Sequence, residues 1–351
     1  MFKMNARRCL VIIKYNDKDI SADLQQYLKN VSYTDNMSGE ADDLQLTLED
    51  KAGLWQSAWM PEKGATLDVS IKLISWQGIG EKVVRFGLFE IDEITSSGMP
   101  SEVQIKAVSV PDNNNLRGAE RTRSWEKAEL KRIANDIATE AGLTLYYDVK
   151  EYNPVIDRAE QTEQSDLSFL YKLCADHGLA LKICDKQVVI FDEADYEAAE
   201  AVALVPKPNA SYSAGSLKVL DMLKSYSLRS KVRDVYKSCH VKYQDSSTKQ
   251  KIEATFAAPD KKIGKTLEVN EQVASIADAE RLAKKKLREK NSDEVTGSFS
   301  FLGNPELAAA VIIQLSGFGG FDGKYIITKA QHDISSGYTT SIDVRRCLDG
   351  Y

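Results

Sequence analysis

The chain has 351 residues, of which 43% are hydrophobic and 28% are charged, and its formal net charge at pH 7 is −6. This balance is typical of a globular protein with two or three domains, and the negative charge excludes a general affinity for nucleic acid. The sequence contains no apolar run near the roughly 20 residues of a membrane-spanning helix and no signal-peptide pattern, and its five scattered cysteines favour a reduced, cytoplasmic place of synthesis.

The first block, residues 1–110, has the period-two hydrophobicity of β-strands. Alternating apolar residues occur in three stretches: Leu44, Leu46 and Leu48; Leu67, Val69, Ile71 and Leu73; and Phe89, Ile91, Ile94, Val103, Ile105 and Ala107. The last stretch is typical of a hairpin. Glycine, asparagine, serine and proline clusters separate the runs, so this block is predicted to be a small antiparallel sheet or barrel.

An acidic stretch, VSYTDNMSGEADDLQLTLED, spans residues 31–50. Its acidic residues before the alternating run are Asp35, Glu40, Asp42 and Asp43. If Gly39 were the sixth position of an EF-hand loop, Thr34 and Gln45 would be the first and twelfth, and neither residue is suitable. A pair of catalytic carboxylates remains an alternative. The simpler interpretation is a hairpin connection in which Asn36, Ser38 and Gly39 turn the chain.

The middle block, residues 111–205, is predicted to be a small α/β domain between two polar linkers, 111–123 and 205–216. Ser124 is the expected cap of a first helix, which ends at Gly142. Its apolar stripe comprises Leu130, Ile133, Ala134, Ile137, Ala138 and Ala141. Ser165 is the expected cap of a second helix that ends at Gly178 and has Leu167, Leu170, Leu173 and Cys174 on one face.

Three strands accompany these two helices in the middle block. Residues 143–149 (LTLYYDV) are predicted to form one strand, and residues 179–184 and 187–191 a hairpin that turns at Asp185 and Lys186. The acidic segment DEADYEAAEAV that follows could be a helix or a loop.

The third block, residues 206–351, returns to strands, with one helix over about 276–290. Strands are predicted over 232–243 and 251–256 and again from Gly297. Ser275 and Asp278 have the spacing of a capping box at the start of the helix. The run KKKLREK (284–290) could contact phosphates, but it is more typical of the solvated face and basic end of an amphipathic helix.

The first and third blocks can be aligned with each other. PEKGATLDVSIKL (61–73) matches PELAAAVIIQLSG (305–317), which places Leu67 against Val311 and Val69 against Ile313. GLFEIDEI (87–94) likewise matches GKYIITKA (323–330), and each copy is followed by Ser-Ser-Gly, at 96–98 and 335–337. This common order predicts an internal duplication in which both segments adopt the same strand order and bury the same face.

Candidate metal ligands and catalytic residues are few. Cys174 and His177 are three residues apart on a helix, and Cys184 could be a third zinc ligand, but the paired spacing of a zinc site is missing. His240 and His332 lie in no nucleophile motif, and the sequence contains no P-loop, G-x-S-x-G or H-E-x-x-H motif. We therefore predict no catalytic, cofactor-binding or metal-binding residue.

Several stretches resemble the phage late control protein D family of tail hub proteins. They are DISADLQQYLKNVSYTDNMSGEADDLQLTLEDKAGLW, WMPEKGATLDVSI, EQSDLSFLYKLCADHGLALKI, VVIFDE and YIITKAQHDISSGYTTSIDVRRCLDGY. The resemblance covers nearly the whole chain, and none of these motifs is catalytic. It implies an α+β, mainly β fold, with two tandem tail-tube-like antiparallel β-barrels (1–110 and 206–351) and a small α/β domain (111–205) between them.

The resemblance also implies a structural role in a contractile phage tail or a related injection particle assembled in the bacterial cytoplasm. The expected assembly is a homotrimer whose six barrels adapt a six-fold tail tube to a three-fold spike. Expected partners are the tail tube protein, the spike protein, a LysM-type tail protein and the wedge, with the tape measure protein as a further candidate. No membrane and no sequence-specific nucleic acid is expected to bind.

Two other functions remain open on the sequence alone. One is a cell-wall hydrolase carried by a tail, which requires a pocket with convergent carboxylates. The other is a nucleic-acid-binding module, which only the basic run at 284–290 favours. A wall-degradation assay and a salt-dependent DNA-binding assay distinguish these functions from a structural hub.

Overall fold

The computed structural model describes residues 6–76, 79–110, 116–150, 152–231, 233–244, 251–271, 273 and 275–351. Strands outnumber helices, which confirms the predicted mainly β class. Residues 111–115 of the first predicted linker lie outside the described ranges. Within the described ranges, no helix is both long and apolar enough to cross a membrane. The bounds of the three predicted domains remain predictions.

The N-terminal part is an antiparallel sheet. Its elements are β1 (Arg8–Tyr15), β2 (Lys18–Asp19), α1 (Ser21–Gln25), β3 (Leu28–Asn36), β4 (Asp43–Glu49), β5 (Thr66–Trp76), β6 (Ile79–Ser97) and β7 (Glu102–Val108). They pair in the order β3–β4–β7–β6–β5–β1–β2. The alternating residues Leu44, Leu46, Leu67 and Val69 point into one core, as their period of two predicts.

The middle part contains two small sheets and three helices. Its elements are β8 (Glu120–Glu129), α2 (Leu130–Glu140), β9 (Thr144–Asp148), β10 (Val155–Ser165), α3 (Asp166–Asp176), β11 (Ala180–Cys184), β12 (Gln187–Phe191) and α4 (Glu193–Glu197). Strands pair as β11–β12–β9 and as β10–β8. The hairpin turn at Asp185 and Lys186 is confirmed, and both residues have positive φ, 49° and 61°.

Of the two helix starts predicted in this part, one is confirmed and one was wrong. Ser165 caps α3 by accepting a hydrogen bond from the Ser168 amide, as predicted. The prediction for Ser124 was wrong, because Ser124 lies within β8 opposite Glu160 and α2 begins at Leu130. The apolar stripe of α2 is correctly placed, with Ile133 and Ile137 fully buried. Hydrophobic periodicity located the helix but could not separate its first turn from the preceding strand.

The C-terminal part again consists mostly of strands. Its elements are β13 (Ala203–Pro206), β14 (Lys218–Val219), β15 (Leu223–Ser230), β16 (Tyr236–Gln244), β17 (Lys251–Ala257), β18 (Lys265–Val269), α5 (Ile276–Asn291), β19 (Val295–Leu302), β20 (Ile312–Ser316), a 3₁₀ turn (Gly319–Phe321), β21 (Gly323–Ile334) and β22 (Tyr338–Arg346). Helix α5 packs on the small sheet β17–β16–β18, with Ala279, Ala283 and Leu287 buried. Ser275 accepts a hydrogen bond from the Asp278 amide, so the predicted cap is confirmed.

Two sets of strands repeat one antiparallel ladder. The first repeat is β3–β7, with neighbour order β3–β4–β7–β6–β5, and the second repeat is β15 plus β19–β22, with order β15–β19–β22–β21–β20. The ladders share irregularities as well as order. In β3 the register shifts between Leu28 and Asn30, and in β15 between Leu223 and Ser225.

A second shared irregularity lies in the central hairpins. The register shifts after Ile91 in β6 and after Ile327 in β21. Upstream of these shifts, Gly87 and Gly323 have φ values of 134° and 139°, which favour glycine. Because a bulge at the same place in both ladders is hard to obtain from alternation alone, the structure confirms the duplication in strand order.

The residue alignment predicted from the sequence was wrong by two positions. Leu67 lies opposite Phe89 and Ile313 lies opposite Tyr325, so Leu67 corresponds to Ile313 and not to Val311. The Ser-Ser-Gly sequences are not equivalent either, because Ser97 is inside β6 whereas Ser335 follows β21. A shift of two residues keeps the same face inward, so the predicted burial of Ile313 and Leu315 was still correct.

The two predicted closed barrels are not confirmed. Among the described strands, the pairing path of each repeat stays open and does not return to its first strand. The strand that follows the ladder also differs, because β1 pairs antiparallel with β5 whereas β13 pairs parallel with β20. The two repeats instead join within one 14-stranded sheet.

Candidate functional site

The two repeats join edge to edge through an inter-repeat junction, in which Lys329–Ile334 of β21 pairs antiparallel with Val31–Asn36 of β3. This junction creates one continuous antiparallel sheet, β15–β19–β22–β21–β3–β4–β7–β6, which we call the eight-strand sheet. Its edges are β15 at one end and the C-terminal half of β6 at the other. The sheet therefore presents an extended surface that neither repeat forms alone.

One face of the eight-strand sheet is apolar and the other is polar. The apolar face covers the two largest β cores and includes Leu46 and Phe299. The side chains that alternate with it form the polar face, on which the uncharged members include Ser32, Gln45, Thr47, Thr95, Gln104, Ser298, Ser300, Gln331 and Ser341. Most of these side chains are partly or fully exposed, so the polar face is available to solvent or to a partner.

A buried histidine lies at the centre of the inter-repeat junction. His332 is opposite Tyr33, with the two rings stacked at 5.8 Å, and Phe86 covers the same ring at 5.4 Å. The Nδ1 atom of His332 is 2.9 Å from the hydroxyl of Tyr338 and 3.1 Å from that of Thr340. Burial lowers the pKa of His332 to about 4, so the junction contains a neutral imidazole at pH 7.

The acidic stretch at 31–50 forms a buried ion cluster with a lysine from the middle part. Lys182 contacts Asp35, lies 2.9 Å from Asp42 Oδ1, and donates a hydrogen bond to the Asn36 carbonyl at 2.7 Å. The other carboxylate oxygen of Asp35 accepts a hydrogen bond from the Ala309 amide at 2.8 Å. We call Lys182, Asp35 and Asp42 the first ion cluster; it ties both repeats to β11.

The turn predicted in this stretch is present, since Ser38 and Gly39 connect β3 to β4 and Gly39 has a φ of 82°. The carboxylates of Asp35 and Asp42 nevertheless have a structural role that turn chemistry did not predict. Burial, opposed by Lys182, raises the pKa of Asp42 to about 6. A cleft of about 390 Å³ opens beside this cluster and is also lined by Arg85, Phe86 and Ala309.

A second ion cluster joins the middle part to the C-terminal part. Glu197 of α4 contacts Arg345 of β22, lies 2.5 Å from an Arg288 nitrogen of α5, and accepts a hydrogen bond from the Leu348 amide at 2.7 Å. Glu193 lies 2.7 Å from Arg345. Because Glu197 and Arg345 are only 3% and 5% exposed, removal of one partner would leave a buried charge.

The candidate zinc ligands Cys174, His177 and Cys184 are not grouped as a metal site. Cys174 is buried in the core of the middle part, whereas His177 ends α3 and has its Nδ1 atom 3.0 Å from the Tyr152 hydroxyl. Cys184 is on β11, beyond the turn that follows α3. In the described ranges, no three His, Cys, Asp or Glu side chains are grouped to hold a metal ion. His240 pairs with Glu268 at 2.9 Å.

The basic run at 284–290 is engaged in packing. Lys286 lies 2.8 Å from Glu271, Arg288 belongs to the second ion cluster, and Lys285 packs against Gly178. The prediction of a solvated face was therefore only partly correct. Two of the five cations, Lys286 and Arg288, contact protein acids, which reduces the charge that this run can offer to phosphates.

Sequence analysis missed Lys182, Glu197 and Arg345 as important residues. The signal that could have identified Lys182 is its place in LALKIC, where a single cation interrupts an apolar strand. Because burying an unpaired charge is costly, a lysine at this position is expected either to form an ion pair or to extend its amine to solvent. The partners themselves could not be identified, because Asp35 and Asp42 lie about 140 residues away in the chain.

Comparison with known proteins matches this chain to phage tail proteins. Residues 91–338 match the family model described as phage tail baseplate hub (GPD). A probable baseplate hub protein of Escherichia phage P2 is 30% identical over 167 residues, which are 48% of this chain and 41% of that protein. The aligned region therefore spans less than half of that relative.

Solved structures show the same fold at low sequence identity. A 43 kDa tail protein of prophage MuSo2 from Shewanella oneidensis is 14% identical, with a TM-score of 0.72 over 97% of this chain and 98% of that one. A component of the Escherichia coli type VI secretion system is 11% identical, with a TM-score of 0.55 over 93% of this chain and 75% of that one. These likenesses extend over nearly the whole chain, including both repeats.

Proposed function

The chain belongs to the phage tail baseplate hub family, and from this premise we propose that it is a structural hub, not an enzyme, in a contractile tail or a related injection particle. The observation that carries this proposal is the repeated ladder within one chain, in which two units with the same strand order lie side by side. The matched phage P2 protein supports the same role.

The proposed assembly is a homotrimer with six similar repeats around one axis. A six-fold tail tube requires six similar contacts, whereas a three-fold spike requires three, and closed rings are built from repeating faces. Three chains with two repeats each provide six approximately equivalent units. Because the second repeat alone has the insertion β16–β18 and α5, the ring would be six-fold on one side and three-fold on the other. The side-by-side joining of the repeats at the β21–β3 pairing supports this arrangement.

In this assembly the polar face of the eight-strand sheet lines the central channel, and each repeat is a tube-like unit. The face has mixed charges, with Lys106, Glu93, Lys329 and Asp333 among them, together with many hydroxyl and amide groups. Such a surface stays hydrated and has no strong single-sign field to retain a passing polyanion.

The proposed partners are the tail tube protein on the six-fold side and the spike protein on the three-fold side, with other baseplate proteins around the ring. The two ion clusters support a rigid adaptor, because they connect the middle part to both repeats through buried charges. The main alternative is a cell-wall hydrolase, for which the Asp35–Asp42 carboxylates would be the candidates. Both carboxylates are engaged by Lys182, which disfavours this alternative.

Native mass spectrometry of the purified protein and electron microscopy of the assembled particle test the proposal. We expect three chains per ring, with both repeats of each chain at the same height along the axis. A ring of six chains, or repeats stacked along the axis, would contradict the proposal. Degradation of purified peptidoglycan by the wild-type protein but not by the Asp42→Asn variant would favour the hydrolase instead.

A further inference from the structure

The eight-strand sheet has two edges, and each corresponds to one side of the inter-repeat junction. At the junction, Lys329–Ile334 of the second repeat pairs with Val31–Asn36 of the first. When the strand pairings of the two repeats are aligned, Lys329–Ile334 of β21 matches residues 93–98 of the first repeat. In the same alignment, Val31–Asn36 of β3 matches residues 226–231 of the second repeat. These two segments are the edges of the sheet, and within the described ranges neither has a strand on its outer side.

We propose that residues 93–98 of one copy pair antiparallel with residues 226–231 of a second copy, in the register of the inter-repeat junction. This inference rests on the proposed function, because it supplies the contact between neighbouring chains of the ring. The transferred register gives these pairs: Glu93 with Lys231, Ile94 with Ser230, Thr95 with Arg229, Ser96 with Leu228, Ser97 with Ser227, and Gly98 with Tyr226.

Burial separates the paired segments from their unpaired counterparts. Val31, Tyr33 and Asp35 are all buried at the junction, whereas their counterparts Tyr226 and Ser230 are exposed and Leu228 is half-buried. On the other strand, Ala330 and His332 are buried, and their counterparts Ile94 and Ser96 are half-buried and exposed. Main-chain amide and carbonyl groups on an open strand edge are ready to pair with another strand.

The two edges also carry opposite charges. Lys224 and Arg229 lie in β15 and Lys231 follows it, whereas the facing edge has Asp92 and Glu93. Glu93 already lies 2.7 Å from Lys106, and Lys231 lies 3.5 Å from Asp293, so the proposed contact extends existing ion pairs across the boundary. Opposite charges at the facing edges favour pairing of β6 with β15 over pairing of two β6 edges or two β15 edges.

The two edge strands of one copy cannot form hydrogen bonds with each other unless the eight-strand sheet closes on itself. They are the terminal strands of the pairing order, with six strands between them. A second copy can place its β15 beside β6 by repeating the relation already present at the junction. Around the ring, junctions within a chain then alternate with junctions between chains, so a closed ring of copies has no open strand edge.

Cysteine cross-linking of the full chain tests the register. The double variant Ser97→Cys/Ser227→Cys places two thiols directly opposite each other, within the reach of a disulfide. Its matched control, Ser97→Cys/Ser225→Cys, shifts one thiol by two residues, or about 7 Å along the strand, which is beyond that reach. Ser97, Ser225 and Ser227 are all exposed, and the three single variants show the background from the native cysteines.

After mild oxidation we expect covalent trimers from the in-register double variant and uncrosslinked chains from the control and the single variants. A native trimer without this cross-link, or with more cross-linking in the shifted control, would overturn the proposed contact while leaving the hub proposal standing. A monomer without any cross-link would overturn both.

A charge exchange gives a second, independent readout. Glu93→Lys and Lys231→Glu should each weaken trimer formation by about fivefold, because each places like charges opposite one another. The double exchange should restore association to within about twofold of the wild type. Equal weakening by the single and double exchanges would show that Glu93 and Lys231 do not face each other.

Discussion

The first and second repeats pair their shared strands in one register, but they connect the first two strands of the ladder differently. Residues 37–42 join β3 to β4, whereas β16–β18 and α5 stand between β15 and β19. The register is nevertheless the same, with Val31 opposite Leu46 and Tyr226 opposite Phe299. A hairpin end therefore tolerates a whole folded insertion, because the inserted residues bring their own core and leave the ladder hydrogen bonds unchanged.

The other side of each ladder differs as well. The β5–β6 hairpin extends to Trp76 and Ile79, whereas the β20–β21 pairing stops at Leu315 and Gly323. The neighbouring strand is antiparallel in the first repeat and parallel in the second. Both repeats have an apolar strand at this position, β1 beside β5 and β13 beside β20, because the main-chain groups of β5 and β20 on that side need hydrogen-bond partners. The direction of the covering strand matters less, since side chains alternate between faces in either direction.

The largest expected effects come from charges placed in the equivalent cores of the two repeats. Leu67→Asp and Ile313→Asp should each lower the free energy of unfolding by about 4 kcal/mol or more, because an unpaired carboxylate would enter a core. Chemical denaturation measures this loss. The conservative controls Leu67→Met and Ile313→Val should cost about 1 kcal/mol each. Tolerance of aspartate at one of the two positions would show that the repeats do not bury the same face.

The first ion cluster gives the next largest effect. Lys182→Met should destabilise the protein by about 3 to 5 kcal/mol, because Asp35 and Asp42 would remain buried without their cation. The matched control is Lys186→Met, in the exposed turn of the same hairpin, with an expected change below about 0.5 kcal/mol. Equal melting temperatures for the two variants would contradict a structural role for Lys182.

The pH dependence of the inter-repeat junction should reflect His332. Its pKa is about 4 in the folded protein and about 6.5 in the unfolded chain, so the unfolded state binds more protons between these values. Stability should fall as the pH decreases from about 6.5 to 4, by up to about 3 kcal/mol relative to the His332→Gln variant. In both the wild type and the variant, Asp42 has the opposite effect on stability as the pH decreases, because burial raises its pKa to about 6. The comparison with the variant therefore isolates the contribution of His332. Identical pH profiles of stability would exclude this role of His332.

The smallest expected effect concerns two equivalent turns before β5 and β20. The Gly64 amide donates to the Ile91 carbonyl and the Ala310 amide donates to the Ile327 carbonyl, with φ values of 80° and 65° at the two donors. Gly64→Ala should destabilise by about 1 kcal/mol, whereas Ala310→Gly should stabilise by up to about 1 kcal/mol. Thermal melting of both variants checks this, and changes of the same sign would contradict the equivalence of the turns.

Local patterns of the sequence were sufficient for the elements and for the faces they bury. Alternation at Leu44, Leu46 and Leu48 predicted a strand with one inward face, and Ser165 and Ser275 predicted where helices begin. These features depend on residues close together in the chain, whose spacing relative to the strand or helix period is readable directly. The resemblance to tail hub proteins likewise came from contiguous stretches.

Only the tertiary structure decided the register between the repeats and the partners of the buried charges. Alternation repeats every two residues, so the sequence could not distinguish a match of Leu67 with Ile313 from a match of Leu67 with Val311, and both choices bury the same face. Lys182 and Asp35 come together across the fold because each buried charge needs a partner of opposite sign. The open edges at β6 and β15 also appear only once all strands are paired, because an edge is a property of the complete sheet.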